Sequence, residues 1–201
     1  REAVGYGADA AVVLDNAELA DYESSLYTKA AAGIIKKYEP NVLLIGASYN
    51  GRDLGGRLSA AMNLGLVADC INCAYEGDDD SITWIRPAFT GKVYVKILTT
   101  TRPQLATVSD KIFRGTEFDA SRTGEIIHET AELQGAAAMQ KLISFTPIPA
   151  EEQELTVENA DIVVGAGRGV GDEEGFAKVA AFAKSIGAAL GVSKPLVDNG
   201  W

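Results

Sequence analysis

Cysteine is scarce in this chain: Cys70 and Cys73 are the only two among 201 residues. That excludes a disulfide scaffold. With a single histidine, His128, the chain also lacks the ligands for a structural zinc site. Cations are in deficit. Lys plus Arg total 18 and Asp plus Glu total 28, a formal net charge of 18 − 28 = −10. A general nucleic-acid binder needs the opposite balance, because its affinity rests on Lys and Arg neutralising phosphates. An anionic membrane surface is a poor partner for the same reason. No run approaches the roughly 18 apolar residues of a membrane span. No basic stretch leading into an apolar run opens the chain, so no signal peptide is read and a reducing, cytoplasm-like compartment is expected. G-x-S-x-G and the P-loop pattern are absent as well. The chain starts at Arg1 without an initiator methionine and stops at Trp201, so both ends read as cut.

What remains is ordinary globular material, 47% apolar and 23% charged. Its length suits one domain or two small ones. Residues 9–15 read as a β-branched strand closed by a turn. From Ser24 to Tyr38 the spacing of Leu26, Ala30, Gly33 and Ile34 is helical, Lys36 and Lys37 suit the last turn, and Pro40 follows. Residues 41–47 are apolar on both faces, as in a central parallel strand. Asn50-Gly51 reads as a turn, Arg52–Met62 as a helix, and Gly65–Cys70 as a further strand, which is βαβ logic. Residues 81–87, 92–100 and 104–108 are short runs separated by Gly77-Asp78-Asp79-Asp80, Thr90-Gly91 and Arg102-Pro103, and read as an antiparallel insertion or edge. Residues 124–133 alternate like a half-buried strand.

Pro147, Pro149 and the acidic run 151–154 suggest a linker, dividing the chain into domains 1–150 and 151–201. The pattern then restarts. Residues 161–164 read as a strand, 165–171 as a glycine loop, 172–186 as a helix ended by Gly187, and 188–192 as a strand. On that helix Phe176, Val179, Ala180, Ala183 and Ile186 share a face, and Asp172, Glu173 and Glu174 fill the first turn.

The glycine loop Gly165-Ala-Gly-Arg-Gly-Val-Gly171 is the most informative local feature. Glycines between a strand and a helix let backbone approach a phosphate or a ring. The loop is not the dinucleotide fingerprint, because the third glycine would fall on Val170 or Asp172. Two readings stand: a ligand-approaching loop carrying Arg168, or a tight βα turn with a solvated arginine. Cys70-Ile-Asn-Cys73 follows a strand rather than opening a helix, so two incidental thiols outrank a redox pair. His128 reads as a surface or satisfied histidine before a catalytic base. Arg52 and Arg86 each look like an arginine at a bend, suited to a surface ion pair or a subunit contact.

In combination these segments are more specific. Asn50-Gly-Arg-Asp-Leu54, Gly65-Leu-Val-Ala-Asp-Cys70, Arg86-Pro-Ala-Phe89 and Arg102-Pro-Gln-Leu-Ala-Thr-Val108 resemble the electron-transfer flavoprotein alpha subunit family in wording, order and spacing. Gly165-Ala-Gly-Arg-Gly169 and the stretch from Gly191 to Trp201 extend the resemblance over nearly the whole chain. It implies an α/β fold, with a Rossmann-like N-terminal domain followed by the first βαβ part of a flavodoxin-like FAD-binding domain. It also implies an electron carrier rather than a stand-alone catalyst. FAD would take electrons from acyl-CoA or other dehydrogenases, as in fatty acid β-oxidation, and pass them to a quinone oxidoreductase or similar acceptor. The implied partner is a beta subunit, in a heterodimer that is cytoplasmic in bacteria or in the mitochondrial matrix of eukaryotes. No nucleic acid, metal or membrane insertion is implied.

The resemblance carries three cofactor-binding positions onto this chain. Arg168 matches an arginine near the flavin and the cofactor's phosphate side, Ser193 a serine contacting the flavin region, and Lys194 a position usually held by arginine. Lysine keeps the charge there but loses the planar fork. The first βαβ unit of the family's N-terminal domain is expected to lie before Arg1. The segments supplying most FAD contacts are expected after Trp201, so the 201 residues alone are expected to hold FAD poorly. The alternative is a nucleotide-binding or subunit-docking α/β module without redox activity.

Overall fold

The computed structural model describes residues 1–75, 80–110, 112–113, 115–149, 155–198 and 200. The turn at Gly77-Asp78-Asp79, the acidic run 151–154 and the terminal Trp201 lie outside the described residues. The chain divides into two compact units, Arg1–Ile143 and Ser144–Trp201.

In the first unit a one-turn helix α1 (Glu2–Gly5) leads into β1 (Ala10–Leu14), and α2 (Ser24–Tyr38) connects β1 to β2 (Val42–Gly46). Then follow α3 (Tyr49–Met62), β3 (Leu66–Cys70), β4 (Asn72–Tyr75), β5 (Ile82–Ala88), β6 (Val93–Ile97), β7 (Gln104–Val108) and β8 (Glu125–Glu129). β2, β7 and β3 form a parallel sheet in that order, β1 and β8 pair parallel, and β4, β5 and β6 form an antiparallel sheet.

The predicted bounds of α2 coincide with the observed ones, Ser24–Tyr38. Glu23 caps its start, its carboxylate accepting the Leu26 N–H at 2.9 Å. Lys36 and Lys37 stand in its last turn, where the helix dipole favours cations. Asn50-Gly51, expected as a turn, lies instead inside α3. Ser48 is the cap, its hydroxyl accepting the Gly51 N–H at 3.1 Å, so the helix begins at Tyr49. Ser48 is a residue type preferred at helix starts, a signal that the Asn-Gly pair overshadowed.

Residues 104–108, which the sequence places in an antiparallel insertion or edge, are neither antiparallel nor at an edge. β7 is the middle strand of the parallel sheet, with Gln104, Leu105, Ala106 and Thr107 at most 1% exposed. Leu105 packs with Ile35 of α2 and Leu58 of α3 on one face. Ala106 packs with Val67, Cys70 and Trp84 of β5 on the other. Helices, parallel sheet and antiparallel sheet are thus three layers with β7 at the centre. Gln104 ties the last two: its side chain accepts the Ile82 N–H at 2.7 Å and donates to the Asp80 carbonyl at 2.8 Å. A buried amide is retained there because both of its ends are satisfied.

In the second unit β9 (Val163–Ala166), a 3-10 turn (Arg168–Val170), α4 (Glu173–Ser185), β10 (Ala189–Val192) and α5 (Lys194–Asp198) follow one another, and β9 and β10 pair parallel. The strand predicted at 161–164 is shifted to 163–166, so the first two residues of the expected glycine loop, Gly165 and Ala166, close the strand. Asp172 is the cap of α4 rather than part of its first turn, its carboxylate accepting the Gly175 N–H at 2.8 Å. Of the expected apolar face, Ala183 is 1% exposed while Ile186 is 44% exposed. Gly187 ends the helix at φ +66°, a left-handed position that favours glycine.

Together the parallel strand pairs and their crossover helices give an α/β, Rossmann-like architecture.

Candidate functional site: the carboxyl ends of two parallel strands

The three residues carried over from the resemblance lie at one end of the β9–β10 pair. Arg168 opens the 3-10 turn two residues after β9, and Ser193 and Lys194 follow β10 directly. The register Val192↔Ala166 brings the two strand ends level. The Ser193 N–H donates to the Ala166 carbonyl at 2.9 Å and continues the ladder beyond the strands. A Cβ built on Gly167 would come 3.9 Å from the Ser193 hydroxyl oxygen, an ordinary contact, so the two loops touch without crowding. Arg168, Ser193 and Lys194 are all exposed. In open α/β sheets the crevice outside the carboxyl ends of parallel strands is where ligands settle.

The donor set is a guanidinium, a hydroxyl and an ammonium, which fits an anionic or electron-rich ring system. The start of α4 does not fit a phosphate. Its Gly175 N–H already bonds the Asp172 carboxylate, whose negative charge stands at the helix start, and Glu173 and Glu174 add like charge there. Lys194 is engaged as well, 3.3 Å from the Asp198 carboxylate one helical turn on. Sequence reasoning missed this pair, because α5 is too short to show a period.

A glycine fixes the geometry behind Arg168. A Cβ on Gly175 would overlap the Val170 carbonyl oxygen, so the first turn of α4 is pressed onto the turn that carries Arg168. The first unit has the same corner. There the Ser48 cap bonds the Gly51 N–H, and a Cβ on Gly51 would overlap the Gly46 carbonyl oxygen. In both corners the carbonyl, the cap and the glycine are offset by the same number of residues.

The first unit also unites two segments that the sequence left apart. Arg52 of α3 donates to the Asp69 carboxylate at 2.8 Å. Asp69 sits in an irregularity of β3 at φ +56°, and the Thr107 hydroxyl accepts its N–H at 2.9 Å. The hydroxyl replaces the ladder partner that the bulge removes. Arg52 is therefore an ion-pairing arginine on a helix, while Arg86 lies within β5 opposite Val95 rather than at a bend.

The two cysteines occupy different sheets. Cys70 ends β3 at 1% exposure, and burial pushes its thiol up to about 11. Cys73 is exposed on β4, and both are free. His128 is exposed on β8. Its neighbour Glu129 accepts from Lys37 at 2.6 Å and from the Tyr38 hydroxyl at 2.6 Å. Those bonds hold the Glu129 carboxyl below the usual carboxylate range and raise Lys37 and Tyr38. Among the described residues no group of three or more His, Cys, Asp or Glu side chains could hold a metal ion. No described helix is long and apolar enough to cross a membrane.

Residues 1–133 match the family described as electron transfer flavoprotein domain, and residues 156–201 match the electron transfer flavoprotein FAD-binding domain. The chain is 35% identical over 204 residues to the electron transfer flavoprotein subunit alpha of Megasphaera elsdenii, covering all of this chain and 60% of that protein. It is 36% identical over 202 residues to protein FixB of Azotobacter vinelandii, covering all of this chain and 56% of that protein. It is 32% identical over 202 residues to the electron transfer flavoprotein subunit alpha of Thermoanaerobacterium thermosaccharolyticum, covering all of this chain and 60% of that protein. The chain thus spans less than two thirds of the length of these relatives. With both family domains matched in order over almost its whole length, the chain belongs to the electron transfer flavoprotein alpha subunit and FixB family.

Proposed function

We propose that this chain is part of an electron transfer flavoprotein alpha subunit, and that Arg168, Ser193 and Lys194 face the flavin of FAD. The observation that carries this reading is the convergence of Arg168 and Ser193-Lys194 at the level ends of two adjacent parallel strands. FAD, when bound, supplies the redox chemistry by accepting and releasing electrons. The chain's own residues supply position and charge. Arg168 offers a permanent cation whose backbone is fixed by the contact between Gly175 and Val170. Ser193 offers a hydroxyl whose backbone is held by the Ala166 carbonyl. Lys194 adds a second cation, its charge shared with the Asp198 carboxylate 3.3 Å away.

A unit charge about 4 Å away at an effective dielectric near 20 is worth roughly 4 kcal/mol. For one electron that corresponds to on the order of 150 mV. One cation therefore sets how readily the ring accepts negative charge. Domains 1–150 and 151–201 divide the work in this reading, the second bringing its cations to the cofactor and the first docking the beta subunit. The assembly is an electron carrier between dehydrogenases and a quinone oxidoreductase or similar acceptor, and not a stand-alone catalyst.

The test uses the complete alpha subunit with its beta subunit and excess FAD. A yellow complex is expected, and Arg168→Ala lowers the potential of the first electron. A complex that stays colourless overturns the reading. A potential that does not move removes Arg168 from the flavin.

A further inference from the structure

The longer helices cap their starts in two ways. α3 uses Ser48 and α4 uses Asp172, short side chains of the types preferred at a helix start. α2 uses Glu23, one carbon longer than aspartate and outside that preferred set. Capping alone does not account for a glutamate there. Glu23 is also only 5% exposed, and a carboxylate withdrawn from water must be hydrogen-bonded.

Its two oxygens have different partners. Oε2 accepts the Leu26 N–H at 2.9 Å and closes the first turn of α2. Oε1 accepts the Met139 N–H at 3.1 Å, from a residue 116 positions further along the chain. The backbone carrying Glu23 is braced, because the preceding Tyr22 donates its hydroxyl to the Asp53 carboxylate of α3 at 2.6 Å and packs edge-on against Tyr27 of α2. Met139 has no such support. Residues 137–143 are all exposed, Met139 at 83% and Ile143 at 94%. Among the described residues, the bond to Glu23 is the one hydrogen bond that ties 137–143 to the rest of the first unit, which ends at Ile143. With no apolar burial behind it, this stretch is attached or loose according to one charge-assisted bond.

We propose that Glu23 is a latch: its carboxylate holds the strap that leads out of the first unit, and so sets the length of free chain running on to the second. Latched, the free chain starts after Met139. Unlatched, it starts after Ala131, the nearest preceding buried residue at 9% exposure. At about 3.3 Å per extended residue, the freed residues 132–139 add roughly 26 Å of reach. A longer tether lowers the effective concentration of one unit around the other. The length of the Glu23 side chain follows from this second task, since the cap needs only a short acceptor and the strap needs a longer one. The inference rests on contacts within the first unit and is independent of the flavin reading.

Amide hydrogen exchange by NMR on the 201-residue chain reads the two bonds separately. In the parent the Leu26 and Met139 amides are both protected. Glu23→Asp keeps the charge and supplies a preferred cap, but is too short to reach Met139. It leaves Leu26 protected and speeds exchange at Met139 roughly tenfold to a hundredfold, the range of a hydrogen bond to a charged group. Trypsin cleavage after the exposed Lys141 rises by the same factor, because the protease must take up the surrounding main chain, Met139 included, as an extended strand. Glu23→Gln keeps the length with one acceptor oxygen and loses protection at one of the two amides. A Met139 amide that exchanges at the free-chain rate in the parent overturns the inference without any variant. So does a Glu23→Gln chain that protects both amides, or a Glu23→Asp chain in which Met139 stays protected. Loss of protection at Leu26 and Met139 together in Glu23→Asp also overturns it, since Glu23 is then a helix cap alone.

Discussion

Gly51 and Gly56 both lie in α3, five residues apart, yet alanine at the two positions has opposite effects. A Cβ on Gly56 meets nothing within 4 Å. There alanine brings only its helix propensity, about 1 kcal/mol over glycine in a helix interior. Gly33 of α2 is equally open and serves as a second control. A Cβ on Gly51 instead overlaps the Gly46 carbonyl oxygen, with the Ile45 side chain 3.2 Å away. Backbone cannot step aside as a flexible side chain can, so α3 must lift from β2. Overpacking of this kind costs about 1–3 kcal/mol. The propensity gain offsets part of that, leaving Gly51→Ala up to about 2 kcal/mol less stable than the parent. The two variants are then separated by the overpacking cost itself, roughly 1–3 kcal/mol, or about 2–12 °C in Tm at 2–4 °C per kcal/mol. Urea and thermal unfolding monitored by the fluorescence of Trp84, 2% exposed beneath β3 and β7, measure the difference. If Gly51→Ala is as stable as Gly56→Ala, the close approach at this corner is refuted.

Three further outcomes are expected. At pH 8 iodoacetamide modifies Cys73 rapidly and spares Cys70, whose buried thiol is raised to about 11, so intact-mass analysis finds one adduct in the native chain and two after denaturation. Thr107→Val leaves the Asp69 N–H without its acceptor and lowers stability by about 1–3 kcal/mol in urea titration, the cost of an orphaned donor; an unchanged midpoint would remove the hydroxyl from that role. Glu129 has a lowered folded pKa, so its contribution is complete above the ordinary carboxyl value of about 4.3 and is lost as pH falls through the lowered value. Glu129→Gln therefore flattens the acid limb of the stability profile and leaves its shape near neutrality unchanged, as denaturant midpoints between pH 3 and pH 7 would show.

The sequence exposes α2 fully because every signal in it agrees: period, basic last turn and the following proline. β7 is where local reading fails. Gln104-Leu-Ala-Thr-Val has the β-branched and polar content of an edge strand, yet all but its last residue are buried. Its polar side chains are inside because each has a distant partner, Gln104 on Asp80 and Ile82, and Thr107 on Asp69. No window of five residues contains those partners. The pair of Arg52 and Asp69 was hidden in the same way, its halves lying 17 residues apart. Arg168, Ser193 and Lys194 were legible only through the resemblance. Composition and spacing left the glycine loop open between a turn and a binding loop, and the level ends of β9 and β10 are a property of pairing.

The twin corners at Gly51 and Gly175 act as fulcrums. α4 has 13 residues and is about 20 Å long at 1.5 Å per residue. A tilt of only about 5° where Gly175 meets Val170 would sweep its far end by about 2 Å over that length. Ala189 and the rest of β10 begin just past that end, and Arg168 sits at the pivot itself. A single methyl added at residue 175 would therefore disturb both arms of the site at once, although the glycine touches neither Ser193 nor Lys194.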